Sequence, residues 1–384
     1  MVNSLVERLI MKKTINVAVI GKGAMGRTHS ASIAMLKYSF KNLPFEVKLH
    51  TLVLRSEENM REIADELGFE NVTTRYEDVL ENPEIDVIDI CTPNNLHFDM
   101  VEKAVKAGKH ILCEKPLGIN AEETDKMLEM IKDSDKCYGM VFNNRHLPCI
   151  MRAKQIVEEG KLGRILSFRC AYRHSSGTDP EKNAGWKQNK DICGAGVLFD
   201  LGSHVIDLLS CVLGDKEENR IANVKSVSQI GFETRKGSDG KDWKTNAEEA
   251  VYVIATLNNG AVGTLEATKI CVGANDDFTL EIFGTDGSLK FDLMQPNYLE
   301  FYDNSAKAAP IGGYKGYTRI ECVNRINDII EGSVLPGMRA PIGWLQGHVN
   351  SMYNYFTCVY EGKKPSPSFE DGAYVQKVMD ACLK

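Results

Sequence analysis

The feature that most constrains the fold is an apolar run that ends in three closely spaced glycines. Residues 15–26 contain Gly21, Gly23 and Gly26 in the spacing G-x-G-x-x-G. In this pattern the first glycine permits a tight turn, the second lets a pyrophosphate approach the backbone, and the third lets the next helix pack closely. The helix N-terminus then presents N–H groups to the phosphates. We therefore expect dinucleotide binding by Gly21, Lys22, Gly23, Ala24, Met25 and Gly26.

Strand-like and helix-like segments alternate up to about residue 143, which predicts a parallel, doubly wound α/β sheet. Ligands bind beyond the carboxyl ends of such strands. Pro93, Asn94, Lys115 and the segment 143–145 follow predicted strands and are therefore candidate binding residues. The predicted strands are residues 15–20, 45–54, 72–76, 86–92, 110–113 and 137–142.

After about residue 150 the pattern changes to strands joined by short turns. Residues 258–260 (Asn-Asn-Gly) and 285–287 (Thr-Asp-Gly) are hairpin signals, so we expect a second, α+β domain with a mostly antiparallel sheet. Helices are predicted at 349–360 and 374–383, packing back on one of the two domains. The expected division is a frayed extension at 1–13, a Rossmann domain at 14–143 and a substrate-binding and oligomerisation domain at 144–384.

Composition excludes several function classes. The net charge is −7 and no basic stripe stands out, so we expect no nucleic-acid partner. No apolar run has the length of a membrane span, and no membrane partner is expected. The 11 cysteines include no C-x-x-C pair. We therefore expect reduced core thiols, no metal site and a cytoplasmic location.

The end of the second predicted strand bears on cofactor choice. An acidic residue there usually binds the ribose 2′-hydroxyl of NAD, whereas this chain has Leu54, Arg55 and Ser56. Arg55 and Ser56 would bind a 2′-phosphate, which favours NADP over NAD. The alternative is that Arg55 stacks on adenine or faces solvent, while Glu57 or Glu58 binds the ribose.

Asp200 and His204 are the sharpest signal in the second half. At i and i+4 they share one face of a predicted helix, where a carboxylate orients a neutral imidazole or raises its pKa for proton transfer. The same spacing is also typical of a helix N-cap followed by a core histidine. Lys115, at a strand end, is the candidate that stabilises a developing alkoxide, although a surface lysine at a turn is the alternative. The bond between Lys115 and Pro116 is a candidate cis peptide.

Other polar or aromatic residues lie near the predicted strand ends and could bind a polyhydroxylated ligand, although each alone is more typical of packing or surface positions. They are Asn143, Arg145, Tyr172, Arg173, His174, Trp186, Lys187 and His348.

Together these motifs resemble those of the Gfo/Idh/MocA oxidoreductases, the family of glucose–fructose oxidoreductase and inositol dehydrogenase. The resemblance covers nearly the whole chain and rests on residues 21–26, Cys-Thr-Pro-Asn at 91–94 with His97, Ala-Gly-Lys-His at 107–110, Glu-Lys-Pro at 114–116 and Asp-Leu-Gly-Ser-His at 200–204. It implies a Rossmann domain followed by an α+β domain with a large open sheet. It also implies a homodimer or homotetramer formed through that sheet.

The resemblance implies NAD(P)-dependent hydride transfer on a sugar, polyol, inositol or related cyclic alcohol. Lys115 would then assist at the reacting oxygen, Asp200 would orient it, and His204 would be the acid–base residue. Thr92, Pro93, Asn94, His97, Glu114 and Lys115 would contact the cofactor. Asn143, Arg145, Arg173, Trp186 and His348 would complete the substrate site with Lys115, Asp200 and His204.

Two other readings of the same pattern remain open. A glycoside-processing enzyme would use a tightly bound NAD for oxidation, elimination and re-reduction. A non-catalytic NAD(P)-binding sensor would keep the fold, although it has no use for an acid–base pair such as Asp200 and His204.

Overall fold

The computed structural model describes residues 12–237, 240–325, 330 and 332–384. Residues 1–11 of the expected extension lie outside this range. The first strand begins at Lys13, one residue before the predicted boundary.

The first domain is a six-stranded parallel sheet in the order β3-β2-β1-β4-β5-β6. Its inner strands are short apolar runs because helices cover both faces of the sheet; every residue of the fourth strand is buried. The strands are β1 Lys13–Ile20, β2 Phe45–Val53, β3 Asn71–Thr73, β4 Val87–Ile90, β5 His110–Cys113 and β6 Tyr138–Met140. The helices are α1 Ala24–Ser39, α2 Met60–Leu67, α3 Tyr76–Glu81, α4 His97–Lys106 and α5 Ala121–Ile131.

The alternation of six strands and five helices confirms the predicted doubly wound architecture. Two local features are also clear, and the second of them was predicted. Gly68 ends α2 in the left-handed conformation that glycine adopts most readily. The peptide bond between Lys115 and Pro116 is cis.

The second domain is an eight-stranded sheet in the order β16-β15-β14-β13-β7-β12-β11-β8. Only the β7–β12 pair is parallel; both predicted hairpins, β11–β12 and β13–β14, are present. The strands are β7 Ile165–Arg173, β8 Ile221–Gln229, β11 Ala250–Leu257, β12 Val262–Thr268, β13 Asp277–Gly284, β14 Gly287–Asp292, β15 Tyr298–Asp303 and β16 Tyr317–Glu321. A separate hairpin pairs β9 Thr234–Lys236 with β10 Asp242–Lys244.

Helices cover one face of this large sheet. They are α6 Pro148–Glu158, the short α7 Lys190–Cys193 and α8 Ser203–Leu213. Between α7 and α8 the chain forms a π-helical turn at Leu198–Gly202, where a continuous α-helix was expected. Among the described residues, the stretch Lys190–Leu213 is long and apolar enough to cross a membrane. An 18-residue window of this stretch is 78% buried inside the protein, so it is a core segment here.

Two C-terminal helices join the domains, as expected. The first, α9 Trp344–Glu361, packs its apolar face on α1 and shares a core with β1 and β2. The second, α10 Phe369–Cys382, packs on α5 of the first domain and on α8 and β8 of the second. The second of these helices therefore packs on both domains.

Candidate active site

The glycine loop has the geometry that its spacing predicts. Gly21 has φ +109° and donates its N–H to the Val53 carbonyl at 3.0 Å. A Cβ on Gly26 would lie 2.0 Å from the Gly21 carbonyl oxygen, so only glycine lets α1 start this close to β1. A Cβ on Gly23 would meet nothing within 4 Å. The loop is therefore tight where the helix packs and open where a pyrophosphate would lie.

The start of α1 also fits an anion. Gly23 is the N-cap and provides no side-chain cap, and the first turn carries no acidic residue. Lys22 and Ala24 are exposed on the same loop and Met25 is partly buried. N–H groups at such a helix start have a positive electrostatic potential that favours phosphate. The residues present therefore fit the phosphates of a dinucleotide, which this family of folds binds as its cofactor.

The end of β2 presents a cation and a hydroxyl at the surface. Leu54 is buried, whereas Arg55 and Ser56 are exposed. The Ser56 hydroxyl accepts the Glu58 N–H at 3.2 Å, which closes a short turn. No carboxylate occupies the position directly after the strand, in agreement with the sequence-based expectation.

A buried imidazole links the strand ends beneath this loop. His29 on α1 donates from Nδ1 to Asp89 at 3.0 Å and from Nε2 to Glu114 at 3.0 Å. Burial opposes its charge, but the Asp89 carboxylate more than offsets this and holds the pKa of His29 well above its usual value. Burial likewise opposes ionisation of Glu114, yet the His29 hydrogen bond lowers the pKa of Glu114 to about 2. Charged His29 thus bridges two carboxylates in the core.

The same cluster includes Cys91, whose Sγ lies 3.2 Å from His29 Nδ1. These atoms and an Asp89 oxygen lie within 4.8 Å of one another, as metal ligands would. Both His29 nitrogens already face carboxylates, however, and burial raises the pKa of Cys91 to about 12. The contacts of His29 therefore form an ion-pair network.

Several predicted cofactor contacts have a supporting role instead. His97 is buried, and its two nitrogens lie 2.8 Å from the Pro116 carbonyl and 3.1 Å from the Thr92 carbonyl. The ring is fully buried between these two backbone carbonyls, which corrects the expectation that His97 contacts the cofactor. Asn94 donates to the Cys193 carbonyl of the second domain at 2.9 Å. Thr92 and Pro93 are partly exposed and remain candidate cofactor contacts.

Lys115 meets Asp200 across the two domains. The Lys115 ammonium donates to the Asp200 carbonyl at 2.7 Å and to Oδ1 at 3.0 Å. Lys187 lies 2.9 Å from both carboxylate oxygens, and Lys269 lies 2.8 Å from Oδ2. Burial opposes ionisation, but these ammoniums, Lys115 foremost, hold the pKa of Asp200 well below its usual range. One carboxylate is thus surrounded by three cations.

His204 lies in the same electrostatic environment, at the start of α8. Its ring packs edge-on against Phe142 and Tyr172, with centroids 5.8 and 5.9 Å away. Burial and then the Lys115 ammonium lower the pKa of His204 to about 3, although Asp200 acts in the opposite sense. Asp200 therefore acts on this pKa in the predicted direction, but burial outweighs it. His204 is uncharged at neutral pH.

A second polar group borders His204. Asp276 accepts from the Tyr172 hydroxyl at 2.7 Å and lies 2.8 Å from His174 Nε2. Burial opposes ionisation of Asp276, yet these two bonds lower its pKa. Tyr172 therefore connects the His204 ring to a satisfied carboxylate.

Two arginines expected to bind substrate have other partners. Arg145 is buried and pairs with Asp207 at 2.5–3.0 Å and with Asp371 on α10 at 3.1 Å. It therefore ties α8 and α10 together. Arg173 pairs with Glu266 at 2.8 Å on the outer face of the large sheet. Successive strand residues point to opposite faces, so Tyr172 faces the site and Arg173 does not. Both arginines are corrections to the predicted substrate site.

The remaining predicted residues occupy three different environments. Asn143 is buried beside Asn144, to which its amide donates at 3.4 Å. Trp186 is partly exposed, with the Lys187 ammonium 5.6 Å from its ring centroid. His348 is buried on α9, its ring 6.3 Å from His29 and 4.4 Å from Trp344. Neither ring nitrogen of His348 has a hydrogen-bond partner among the described residues, so its place in the substrate site stays a prediction.

Sequence reasoning missed Lys269, Asp276 and His29. Lys269 directly follows β12, whose last residue pairs with Arg173 at the end of β7. Because β7 and β12 are parallel, their carboxyl ends lie at one edge of the sheet. A prediction of this strand pairing would have placed Lys269 beside His174. Asp276 directly precedes β13 and had no sequence signal of its own.

Comparison with known proteins agrees with this geometry. Residues 15–142 match the family model described as "Oxidoreductase family, NAD-binding Rossmann fold", and residues 150–290 match the "GFO/IDH/MocA C-terminal domain". The chain belongs to the Gfo/Idh/MocA oxidoreductase family. The motifs that carry the resemblance in the sequence are thus confirmed as those of family members.

Relatives within the Gfo/Idh/MocA family are named dehydrogenases. Levoglucosan dehydrogenase of Pseudarthrobacter phenanthrenivorans is 33% identical over 380 residues, covering 97% of this chain and 96% of the relative. Myo-inositol 2-dehydrogenase of Thermotoga maritima is 25% identical over 280 residues, 72% of this chain and 75% of the relative. A solved levoglucosan dehydrogenase in complex with NADH and levoglucosan superposes with a TM-score of 0.89 at 32% identity, covering 97% and 96% of the two chains.

The neutral histidines predict a pH dependence of stability. Burial lowers the pKa of His110 to about 4 and that of His146, His204 and His348 to about 3. Between about pH 6.5 and 4 the unfolded chain binds protons that these native imidazoles do not, so the free energy of unfolding falls as pH falls. Each contributes up to about 1.4 kcal/mol per pH unit. His29 adds no slope in this window, because its pKa in the native state is well above 6.5 and it is protonated in both states.

Urea unfolding measured at pH 5, 6 and 7 tests this expectation. His204→Gln removes one titrating group and should make the stability curve flatter than that of the wild type. Stability that is independent of pH between 5 and 7, or an unchanged slope in the variant, would contradict the neutral state of these imidazoles.

Proposed function

We propose that this protein transfers a hydride between the nicotinamide of NAD(P) and a carbon bearing a hydroxyl in a sugar, polyol, inositol or related cyclic alcohol. The observation that carries the proposal is the 3.0 Å pair of Lys115 and Asp200 with neutral His204 nearby. The Rossmann domain provides the lysine at a strand end, and the second domain provides the carboxylate and imidazole.

Each residue has a distinct role in this reaction. The Lys115 ammonium donates a hydrogen bond to the reacting oxygen and stabilises the negative charge that develops there. Asp200 holds that ammonium in position through its carbonyl and carboxylate oxygens. His204, being uncharged, accepts the hydroxyl proton during oxidation and returns it during reduction. The bound nicotinamide supplies the hydride acceptor or donor.

The relatives support the substrate class. Levoglucosan, inositol and xylose dehydrogenases are all among the chain's matches, and each name denotes oxidation of a hydroxylated ring or sugar. The match to levoglucosan dehydrogenase spans nearly the full length of both proteins. A polyhydroxylated carbohydrate is therefore the class of substrate to test first.

Substitution of Lys115 or His204 tests the assigned roles. Lys115→Met and His204→Gln should each lower kcat by about two to four powers of ten, the usual effect of losing an acid–base or charge-stabilising group. Turnover is measured as absorbance at 340 nm with a panel of aldoses, inositols and anhydrosugars, and NADH binding by fluorescence. The exposed Lys182, which donates to the Ser176 carbonyl, provides the control Lys182→Met.

Wild-type turnover in His204→Gln would refute this mechanism. A cleaved glycoside formed without net NADH would instead identify the oxidation–elimination–reduction alternative. NADH binding without turnover of any member of the panel would favour the sensor alternative.

We further propose that the protein prefers NADP to NAD. Exposed Arg55 and Ser56 supply a cation and a hydroxyl at the end of β2, where a carboxylate would repel a 2′-phosphate. Family relatives have been solved with NADH and with NAD+, so both dinucleotides must be compared directly.

Arg55→Glu tests the proposed cofactor preference. The variant should bind NADPH about tenfold or more weakly, because a charge-assisted bond is replaced by like-charge repulsion, and should bind NADH no more weakly than before. The control is Arg75→Glu, which makes the same arginine-to-glutamate change at an exposed position before α3. Tighter NADH than NADPH binding by the wild type would overturn the preference.

We also propose a homodimer or homotetramer assembled through the large sheet, and a cytoplasmic location. The outer sheet face exposes Val227, Tyr252, Ile254 and Val262 on three neighbouring strands, with Ile254 58% exposed. Contiguous apolar patches of this kind favour association. All 11 cysteines are free thiols, which suits a reducing compartment.

Light scattering tests the assembly. The wild type should be a dimer or tetramer, and Ile254→Asp should dissociate it because a carboxylate would be buried in the interface. Val272→Asp, at an equally apolar residue in the turn after β12, should not change the mass. A monomeric wild type, or an Ile254→Asp variant of unchanged mass, would exclude this sheet face as the interface.

A further inference from the structure

The charge around Asp200 is unbalanced. Lys115, Lys187 and Lys269 all contact this one carboxylate, at 2.8–3.0 Å. They come from three separate parts of the chain: the end of β5, a short helical turn at residues 186–188, and the end of β12. Among the side chains in direct contact, three ammoniums against one carboxylate leave an excess of two positive charges.

The other carboxylates near this cluster have partners of their own. Glu114 is paired with charged His29, and Asp276 is bonded to His174 and the Tyr172 hydroxyl. Glu248 accepts the Leu198 N–H at 3.1 Å. Within the part of the chain that the structure describes, these bonds leave Asp200 as the carboxylate that contacts the three lysines.

Oxidation of a neutral alcohol does not require this excess. One ammonium, that of Lys115, is enough to stabilise the reacting oxygen, and Asp200 balances a single charge. The Lys269 side chain is only 10% exposed, and a buried ammonium is costly unless it is paired. The Lys187 side chain is 44% exposed and can turn from Asp200 towards a ligand.

We propose that Lys187 and Lys269 bind an anionic group of the substrate, a carboxylate or phosphate carried by the sugar or cyclic polyol. The inference deepens the function proposed above and rests on it. The preferred substrate is therefore a sugar acid or sugar phosphate, and these two lysines determine specificity.

An anion at this position also suits the proton transfer. The imidazolium of His204 is disfavoured by burial and by the Lys115 ammonium. A negative charge beside the lysines offsets that repulsion, so the substrate itself helps His204 to accept a proton. Anionic substrates should consequently have a higher kcat as well as a lower KM.

The test compares neutral and anionic forms of one ring. Initial rates are measured with both dinucleotides for D-glucose, D-glucuronate and D-glucose 6-phosphate, for the galacto series, and for myo-inositol with its monophosphate. We expect kcat/KM for an anionic member to exceed that of its neutral counterpart by about ten- to a hundredfold, as hydrogen bonds to charged groups imply. Comparison of the rates for glucuronate and glucose 6-phosphate shows whether the site prefers a carboxylate or a phosphate.

Lys187→Gln and Lys269→Gln should each reduce the anionic-to-neutral ratio of kcat/KM by about tenfold or more. Lys190→Gln, an exposed lysine three residues from Lys187, should keep the wild-type ratio. Lys187 lies in an exposed turn, so its variant tests the proposal even where loss of the buried Lys269 prevents folding. Higher ionic strength should raise KM for the anionic substrates more than for the neutral ones.

The outcomes separate this inference from the proposed function. Oxidation of neutral sugars with no preference for their anionic forms overturns the anion site and leaves the dehydrogenase function standing. If no compound is oxidised, the dehydrogenase function fails. Calorimetry of glucuronate and glucose 6-phosphate with NADH-saturated protein then decides the anion site: binding lost in Lys187→Gln supports it, and no binding overturns it.

Discussion

The active-site geometry depends on the ion pair between Lys115 and Asp200. The lysine follows a strand of the first sheet, and the aspartate lies in a π-helical turn of the second domain. Their side chains are 13% and 16% exposed, so solvent screens the attraction less than at the surface. Because Lys115 also donates to the Asp200 carbonyl, the ammonium is held at two points. The pair therefore sets where the two domains present their reactive groups.

Beneath that pair, a second set of charges holds the strand ends together. His29 on α1 bridges Asp89 of β4 and Glu114 at the end of β5. Glu114 also accepts the N–H of Lys115 at 3.1 Å. The glycine loop, whose helix carries His29, is thus connected by hydrogen bonds to the residue that contacts Asp200. A buried charged imidazole requires both carboxylates, which explains why a position three residues beyond Gly26 is histidine.

The two domains also differ in the source of their positive electrostatic potential. The glycine loop and helix start of the first domain form a region for anionic phosphates through backbone groups, with no acidic residue in the first turn of α1. The second domain brings Lys187 and Lys269 to the Asp200 carboxylate and an uncharged imidazole at His204. The overall charge of −7 does not indicate this local cluster of cations.

The sequence by itself determined the doubly wound first domain, the two hairpins and the cis peptide before Pro116. These depend on local sterics and short spacings. Gly21 and Gly26 allow the tight turn of the glycine loop, and the alternation of strands and helices indicates a doubly wound parallel sheet. Tertiary structure decided the partners of each side chain. Arg145 and Arg173 were predicted to meet substrate, but Asp207 and Glu266 pair with them. Lys269 lies 69 residues from Asp200 and reaches it because the π-helical turn that carries Asp200 packs on β12, a long-range contact that no local pattern reports.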